Sequence, residues 1–235
     1  LDAPAAALQL GNSALDALNQ AGLRELNIGG AEHTGGINLD AGSSLAATKA
    51  VSLQSNQVNV AGAIRAGDGQ QGGSVQITGD QLNVASTARI DASGSGGGGE
   101  VLIGGSWQNE NPQIRQAVST TIAQGAVVDA SATANGNGGT IVAWSDITNP
   151  ESRTTVAGTL RAKGGAQGGD GGRIETSGYD LRVDGIKVST AAPMGRTGEW
   201  LLDPYNITIG SSETGTGWAN PYTPSQTSTI LASTI

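Results

Sequence analysis

The side chains able to do chemistry are few and scattered. A polysaccharide-cleaving site needs two carboxylates at a fixed separation, or Ca²⁺ beside a basic residue. Carboxylates stand at Asp91, Asp129, Asp170 and Asp180, but each falls at a turn or loop position of the pattern described below, where Asp serves as a turn former. His33, between Glu32 and Thr34, is the sole histidine, so any Ser-His-Asp triad would have to use it. There is no cysteine, which removes disulfides, zinc–thiolate sites and cysteine nucleophiles. The glycine-rich stretch 164–172 is superficially like a Gly-Gly-x-Gly-x-Asp calcium repeat, yet its Asp spacing is wrong and no nine-residue tandem follows. No Gly-rich loop leads into Gly-Lys-Ser/Thr, the sequence that cradles phosphates. These residues predict no catalytic group, no metal and no cofactor, and hence no enzyme.

Binding chemistry has better candidates. Two polar, irregular segments interrupt the pattern, residues 106–117 and 145–155. The first holds Trp107, Gln108, Asn111 and Arg115; the second holds Asn149 and Arg153. Both follow a strand directly and read as loops leaving the body of the protein, and loops on a rigid scaffold are where recognition concentrates. Trp107 has two readings: an exposed contact for a glycan or protein, or a side chain folded back over the flank of the scaffold. Trp144 and Trp200 read as packing residues, and Trp218 with Tyr222 as ordering the last loop.

The scaffold must be built from an unusual composition. Of 235 residues 38 are Gly, Phe is absent and aromatics are only 3%, so any core must be made of Val, Ile, Leu and Ala. The glycines lack a three-residue period, which excludes collagen. A net charge of −8 argues against nucleic acid or an anionic membrane, both of which call for a basic face. No apolar run approaches 18 residues, so no helix is expected to insert in a membrane.

Internal repeats supply the architecture. A Gly pair followed by an alternating strand occurs at Gly72-Gly73, Gly98-Gly99, Gly138-Gly139 and Gly171-Gly172, with a looser early copy at Gly35-Gly36. A second element precedes the four later pairs: Ile64-Arg65-Ala66, Ile90-Asp91-Ala92, Val128-Asp129-Ala130 and Leu160-Arg161-Ala162. Strands of three to five residues with period two cannot bury their apolar face alone, but stacked copies share a continuous core. The expectation is therefore all-β: a right-handed parallel β-helix, or β-solenoid, with extra-helical loops. At about 20–25 residues per coil it would make roughly ten coils and about 50 Å of rod. A β-sandwich with Gly-rich turns is the alternative. Stacking would also set Arg65 beside Asp91 and Asp129 beside Arg161.

Three regions follow from this pattern. Residues 1–30 form a leading segment with a short helix and the first coil. In that helix Leu15, Leu18, Leu23 and Leu26 are at near-helical spacing, Ser13 and Asp16 suit an N-terminal cap, and Gly22 suits its end. Residues 31–210 form the β-solenoid with its two excursions, and the Ser/Thr-rich 211–235 leads toward a further region. Both ends read as cut from a longer protein.

Certain strings also carry a family resemblance. Gly104-Gly105-Ser106-Trp107-Gln108, Gly138-Gly139-Thr140-Ile141-Val142-Ala143-Trp144-Ser145-Asp146, the run from Gly164 to Gly178, and above all Gly198-Glu199-Trp200-Leu201-Leu202-Asp203-Pro204 resemble the large exoproteins of bacterial two-partner secretion, which are similar to filamentous haemagglutinin. The resemblance covers about residues 10–210. It implies a right-handed β-helix, passage through an outer-membrane pore transporter, and a secreted or bacterial cell-surface location. Members of that family serve as adhesins, in haem or haemopexin acquisition, or as shafts for contact-dependent toxins. Neither the Asn-Pro-Asn motifs of the family's secretion domain nor a C-terminal effector is present, so the expectation is the repeat shaft. The function it implies is a structural and binding segment of an adhesin, presenting loops to a host or neighbouring-cell protein or glycan. A carbohydrate-active β-helix enzyme and a toxin-delivery shaft are the alternatives.

Overall fold

The computed structural model describes Leu8, residues 10–210 and the strand Ser228–Leu231. The predicted roles of 211–227 and 232–235, including Trp218 and Tyr222, lie outside the described residues. Period-two alternation becomes three parallel sheets. The first contains β1 (Glu25–Gly29), β4 (Ala50–Gln54), β7 (Ser74–Thr78), β10 (Glu100–Ile103), β13 (Thr140–Trp144), β16 (Arg173–Gly178) and β19 (Glu199–Pro204). The second contains β2 (Gly36–Leu39), β5 (Gln57–Val60), β8 (Gln81–Val84), β11 (Ser119–Ile122), β14 (Arg153–Val156) and β17 (Asp180–Arg182). The third contains β3 (Ser44–Ala47), β6 (Ala63–Ala66), β9 (Arg89–Asp91), β12 (Val127–Asp129), β15 (Thr159–Arg161) and β18 (Lys187–Ser189). Within these sheets each strand pairs in parallel with the strand three places further along the chain, an all-β connectivity consistent with a β-helix, and a separate parallel pair joins Ile207–Gly210 to Ser228–Leu231. The three sheets are open rather than closed on themselves.

One row across the first sheet runs Glu25, Ala50, Ser74, Glu100, Thr140, Arg173, Glu199. Its steps are 25, 24, 26, 40, 33 and 26 residues. The expectation of about ten coils is thus too high: the longest sheet holds seven strands, because the shortest coil already takes 24 residues and two coils lengthen at their connections. At about 4.8 Å per step the described coils rise roughly 29 Å.

Stacked aliphatic rows form the core. Val51, Val75, Val101, Ile141 and Ile174 make one row, Leu53, Ile77 and Ile103 a second, and Ile64, Ile90, Val128 and Leu160 a third, all buried. Burying one such side chain stabilises by about 1.5–3 kcal/mol, so the absence of Phe is made good by repetition. In the second sheet the row Val58, Leu82, Thr120, Thr154, Leu181 turns polar midway. There Thr120 Oγ1 donates to the Trp144 carbonyl at 2.6 Å and Thr154 Oγ1 to Ser145 Oγ at 2.9 Å, so the buried hydroxyls are satisfied.

The Gly pairs are a stacking device. The amides of Gly73, Gly99, Gly139 and Gly172 donate to the carbonyls of Ala66, Ala92, Ala130 and Ala162, closing each Gly-rich loop at its neck. A Cβ at Gly99, Gly139, Gly172 or Gly198 would strike the carbonyl oxygen of the glycine one coil earlier in the same column. The loops beyond the necks also stack, with bridges Gln71–Gly97, Gly94–Ala132 and Asn135–Gly168.

Three further expectations need correction. Gly35-Gly36 is not a copy of the pair, since β2 lies in the second sheet; the equivalent strand of that coil is β4, reached through Thr48-Lys49. The helix α1 (Asn12–Gln20) ends at Gly22 as expected, since Gly22 follows the C-cap Ala21 with a left-handed φ of 62°, but its N-cap is Gly11 with no side-chain bond, and Leu26 belongs to β1. It lies against β3, where Asn19 donates to the Ser44 carbonyl and accepts from the Ala46 amide, with Leu15 buried in the core. Of the two expected charge pairs, Arg161 reaches Asp129 at 3.8 Å. No ion pair joins Arg65 to Asp91, although they are in register, because the Asp91 carboxylate instead accepts from the Ser93 amide and hydroxyl.

Replacing Gly139 by Ala puts a methyl group into the carbonyl of Gly99 and is expected to destabilise by more than about 3 kcal/mol. Gly36→Ala meets nothing within 4 Å and should change stability by about 0.5 kcal/mol or less. Urea unfolding midpoints of the two variants check this.

Candidate functional site

The outward row of the first sheet changes character along the stack. It begins Asn27, Ser52, Gln76 and continues Leu102, Val142, Glu175, Leu201. An outward row that turns apolar must be covered. The sequence carried this signal as the unbroken apolar runs Val101-Leu102-Ile103, Ile141-Val142-Ala143-Trp144 and Trp200-Leu201-Leu202, which mean a strand buried on both faces. Alternation-based reading passed over it.

The cover is the 106–117 segment. It does not leave the coil as a loop but folds back as a strap: Trp107 and Ile114 join Leu102, Val142 and Trp144 in a second apolar cluster outside the main core. Trp107 is only 9% exposed, and the Arg173 guanidinium lies over its ring at 4.3 Å, a cation–π contact. The Trp144 indole packs across Gly105, where a Cβ would collide with it, and its Nε1 donates to Gln116 Oε1 at 3.0 Å. The folded-back reading of Trp107 is the one realised.

The other predicted binding residues divide. Arg115 reaches across the corner to Asp80 at 2.6 Å and donates to Asn56 Oδ1 at 2.9 Å, tying the strap to two earlier coils. Asn111 is exposed, yet its amide donates to Ser106 Oγ and its Oδ1 accepts from the Gln113 amide. Asn149 is half-buried and its Oδ1 accepts from the Glu151 amide. Arg153 lies in β14 rather than a loop and pairs with Asp180 at 2.7 Å. Gln108 has an exposed side chain on a left-handed backbone, φ 46°. The two excursions are brought together: the Asp146 amide donates to the Ala117 carbonyl and the Arg153 amide to the Val118 carbonyl. Residues 106–117 and 145–152 form one continuous ridge at the corner between the first and second sheets.

The carboxylates weighed from sequence hold the fold. Asp91 and Asp129 each accept from a serine amide two residues on. Asp170 is held below the usual carboxylate range by the Arg196 amide and guanidinium. Asp180 is buried between Arg153 and Arg182. His33 Nδ1 is 2.9 Å from Ser55 Oγ, and among the described residues no cluster of His, Asp and Glu could hold a metal. The acidic group that sequence reading missed is Glu175. It is fully buried under the strap, where its Oε2 accepts from the Gln108 amide at 2.8 Å and its Oε1 from Ser177 Oγ at 2.9 Å. Burial raises its pKa, and Asp203 nearby adds to the rise. Asp203 is itself raised by burial. A separate open groove of about 520 Å³ runs along the Gly pairs, lined by backbone with Thr140, Asp170, Arg173 and Arg196.

Trp107→Ala empties the strap's apolar anchor and is expected to lower stability by about 3 kcal/mol. Asn111→Ala, at an exposed turn, should cost about 0.5 kcal/mol. Comparison of their urea midpoints checks that Trp107 packs rather than projects.

No family model and no curated protein sequence matches this chain. Among solved structures it is similar to the HMW1 secretion domain from Haemophilus influenzae, with 27% identity and a TM-score of 0.50. The match covers 76% of this chain and 48% of that one, so the chain spans about half the length of the secretion domain it resembles. At the level of fold, the likeness supports the two-partner-secretion resemblance carried by the Gly-pair and Trp-Leu-Leu-Asp-Pro strings.

Proposed function

We propose that this chain is a structural and binding segment of a secreted bacterial surface adhesin, a right-handed β-solenoid that spans distance and presents the ridge of 106–117 and 145–152 to a cell or host surface. The right-handed sense follows the general rule for parallel strand crossovers. The observation that carries the reading is the coil itself: three parallel sheets in register, similar in fold to a secretion domain. The chain binds and spans rather than catalyses. Its export passes through an outer-membrane pore transporter, for which a chain without cysteine and with nearest-neighbour folding suits emergence from one end. The exposed parts of the ridge, Gln108 and Asn111, are its contact residues for a glycan or surface protein. A second reading is favoured by the neighbour being a secretion domain: the same segment is recognised by the transporter during export.

Binding of the purified chain to an array of glycans and host-surface proteins tests the first reading. Specific binding that falls at least about tenfold in the Gln108→Ala/Asn111→Ala double variant, a loss of about 1.4 kcal/mol, is the expected result. Absence of binding by the folded chain, with export impaired in the same variant, overturns the adhesive reading in favour of the second. Release of reducing ends from any polysaccharide on the array would overturn the non-catalytic reading.

A further inference from the structure

The strap is held and opposed by groups of different kinds. Holding it are Trp107 and Ile114 in the outer cluster, Arg173 over the indole, and Arg115 on Asp80. Opposing it is backbone strain: Gln108 and Asn109 both have left-handed φ, 46° and 54°, without being glycine. Between strap and sheet lies Glu175, which is 0% exposed although it faces outward from the first sheet. The strap's own backbone seals it, through the Gln108 amide.

Burial is what opposes a negative charge on Glu175, and it outweighs the Gln108 amide, the Ser177 hydroxyl and Arg173, which favour one. On its own strand, Arg173 is the nearest cation, but its guanidinium is stacked on Trp107 and its Nε donates to Thr140 Oγ1 at 3.1 Å. β19 contributes Asp203, a like charge. β10 contributes Glu100, which lies near Arg173 and is itself raised by burial. β13 contributes only Thr140, Val142 and Trp144 on this face. The strap carries Glu110, which is exposed, and Arg115, which is engaged by Asp80. In the adjoining excursion the Asp146 carboxylate is taken by Thr148.

We infer that the 106–117 strap is a proton-operated cover, seated while Glu175 is neutral and lifted from the outer face of the first sheet when Glu175 ionises. In the neutral state one carboxyl oxygen accepts from the Gln108 amide and the other donates to Ser177 Oγ, whose hydroxyl serves in either direction. On losing its proton the carboxylate is buried away from water beside Asp203 with one amide and one hydroxyl as donors, and water is reached most directly by raising the strap that covers it. Because the folded-state pKa lies above the ordinary 4.5, the seated state is fully stabilised below that value and loses stability as pH rises through the folded pKa. Lifting uncovers the strip Leu102, Val142 and Leu201. The inference rests on the fold and not on the adhesive reading.

The test uses the full chain labelled with 5-fluorotryptophan, with the Trp107 fluorine resonance assigned through Trp107→Phe and followed from about pH 4 to pH 9. The expected result is one titration of the Trp107 line above pH 4.5, accompanied by faster amide exchange at Gln108 after correction for intrinsic rates. Glu175→Gln should abolish that titration and keep the strap seated throughout. Asp203→Asn, which removes the neighbouring charge, should move the midpoint to lower pH. A Trp107 line that does not move over this range overturns the inference, as does a Glu175→Gln chain that titrates like the wild type. If Glu175→Gln does not fold, an unshifted midpoint in Asp203→Asn is decisive against it.

Discussion

Everything in this molecule depends on how closely one coil can lie on the next. Parallel strands in register demand a backbone spacing of about 4.8 Å along the whole stack, and that spacing must hold at the corners as well as in the sheets. At the corner between the third and first sheets it holds because the column Gly73, Gly99, Gly139, Gly172, Gly198 carries no side chains. Each of these amides also closes a loop on the carbonyl of the third-sheet corner, at Ala66, Ala92, Ala130, Ala162 or Thr190. The same glycine therefore fixes the vertical contact and the neck of the loop. Loop length beyond the neck is then free to vary, which is how coils of 24 and 40 residues share one register.

Regular stacking has a second consequence: any departure from the pattern is repeated onto its neighbours. Once Leu102 faces outward, Val142 and Leu201 continue an apolar row on the wrong side of the sheet, and a covering segment becomes necessary. The 106–117 strap meets that need, and the 145–152 excursion packs on it in turn. Glu175 stands in this row as a carboxyl in an apolar setting, held by one amide and one hydroxyl. A rigid scaffold has thereby acquired a locally strained element with a titratable group beneath it. Such combinations are found where a protein has something to do besides stand.

The outer face of the second sheet is uncharged and regular in the first coils. Asn38, Asn59 and Asn83 stand in register on the second sheet, with Asn59 donating to Asn38 at 2.9 Å. Gln57 and Gln81 form a parallel row beside them. The strap end of the stack is irregular and holds the strained turn. The second-sheet face is thus uniform in the first coils and differentiated at the strap, on one continuous core.

The coil was legible from the residues alone because its causes are local. Val75 and Ile77, Val101 and Ile103, and Val128 within its Val-Asp-Ala string declare period-two strands. The Gly pairs before them mark the turns, and no long-range knowledge is needed to see that such strands must stack. Gly35-Gly36 misled for the same reason, since a Gly pair before an alternating strand is a local pattern and which sheet receives the strand is not. Arg65 and Asp91 are neighbours in register, as stacking requires, but the nearer Ser93 hydroxyl and amide claim the carboxylate. Only tertiary structure decided the fate of Trp107, Arg115 and Arg153. Their partners Arg173, Asp80 and Asp180 lie 27 to 66 residues away in sequence. Glu175 likewise meets Gln108 only because successive coils and a returning strap bring them together. Sequence by itself determined the repeating unit, since hydrophobic alternation and glycine sterics act within a few residues. Which side chains end up covered, paired or presented was settled by the stacking, since that depends on what each coil meets one turn later.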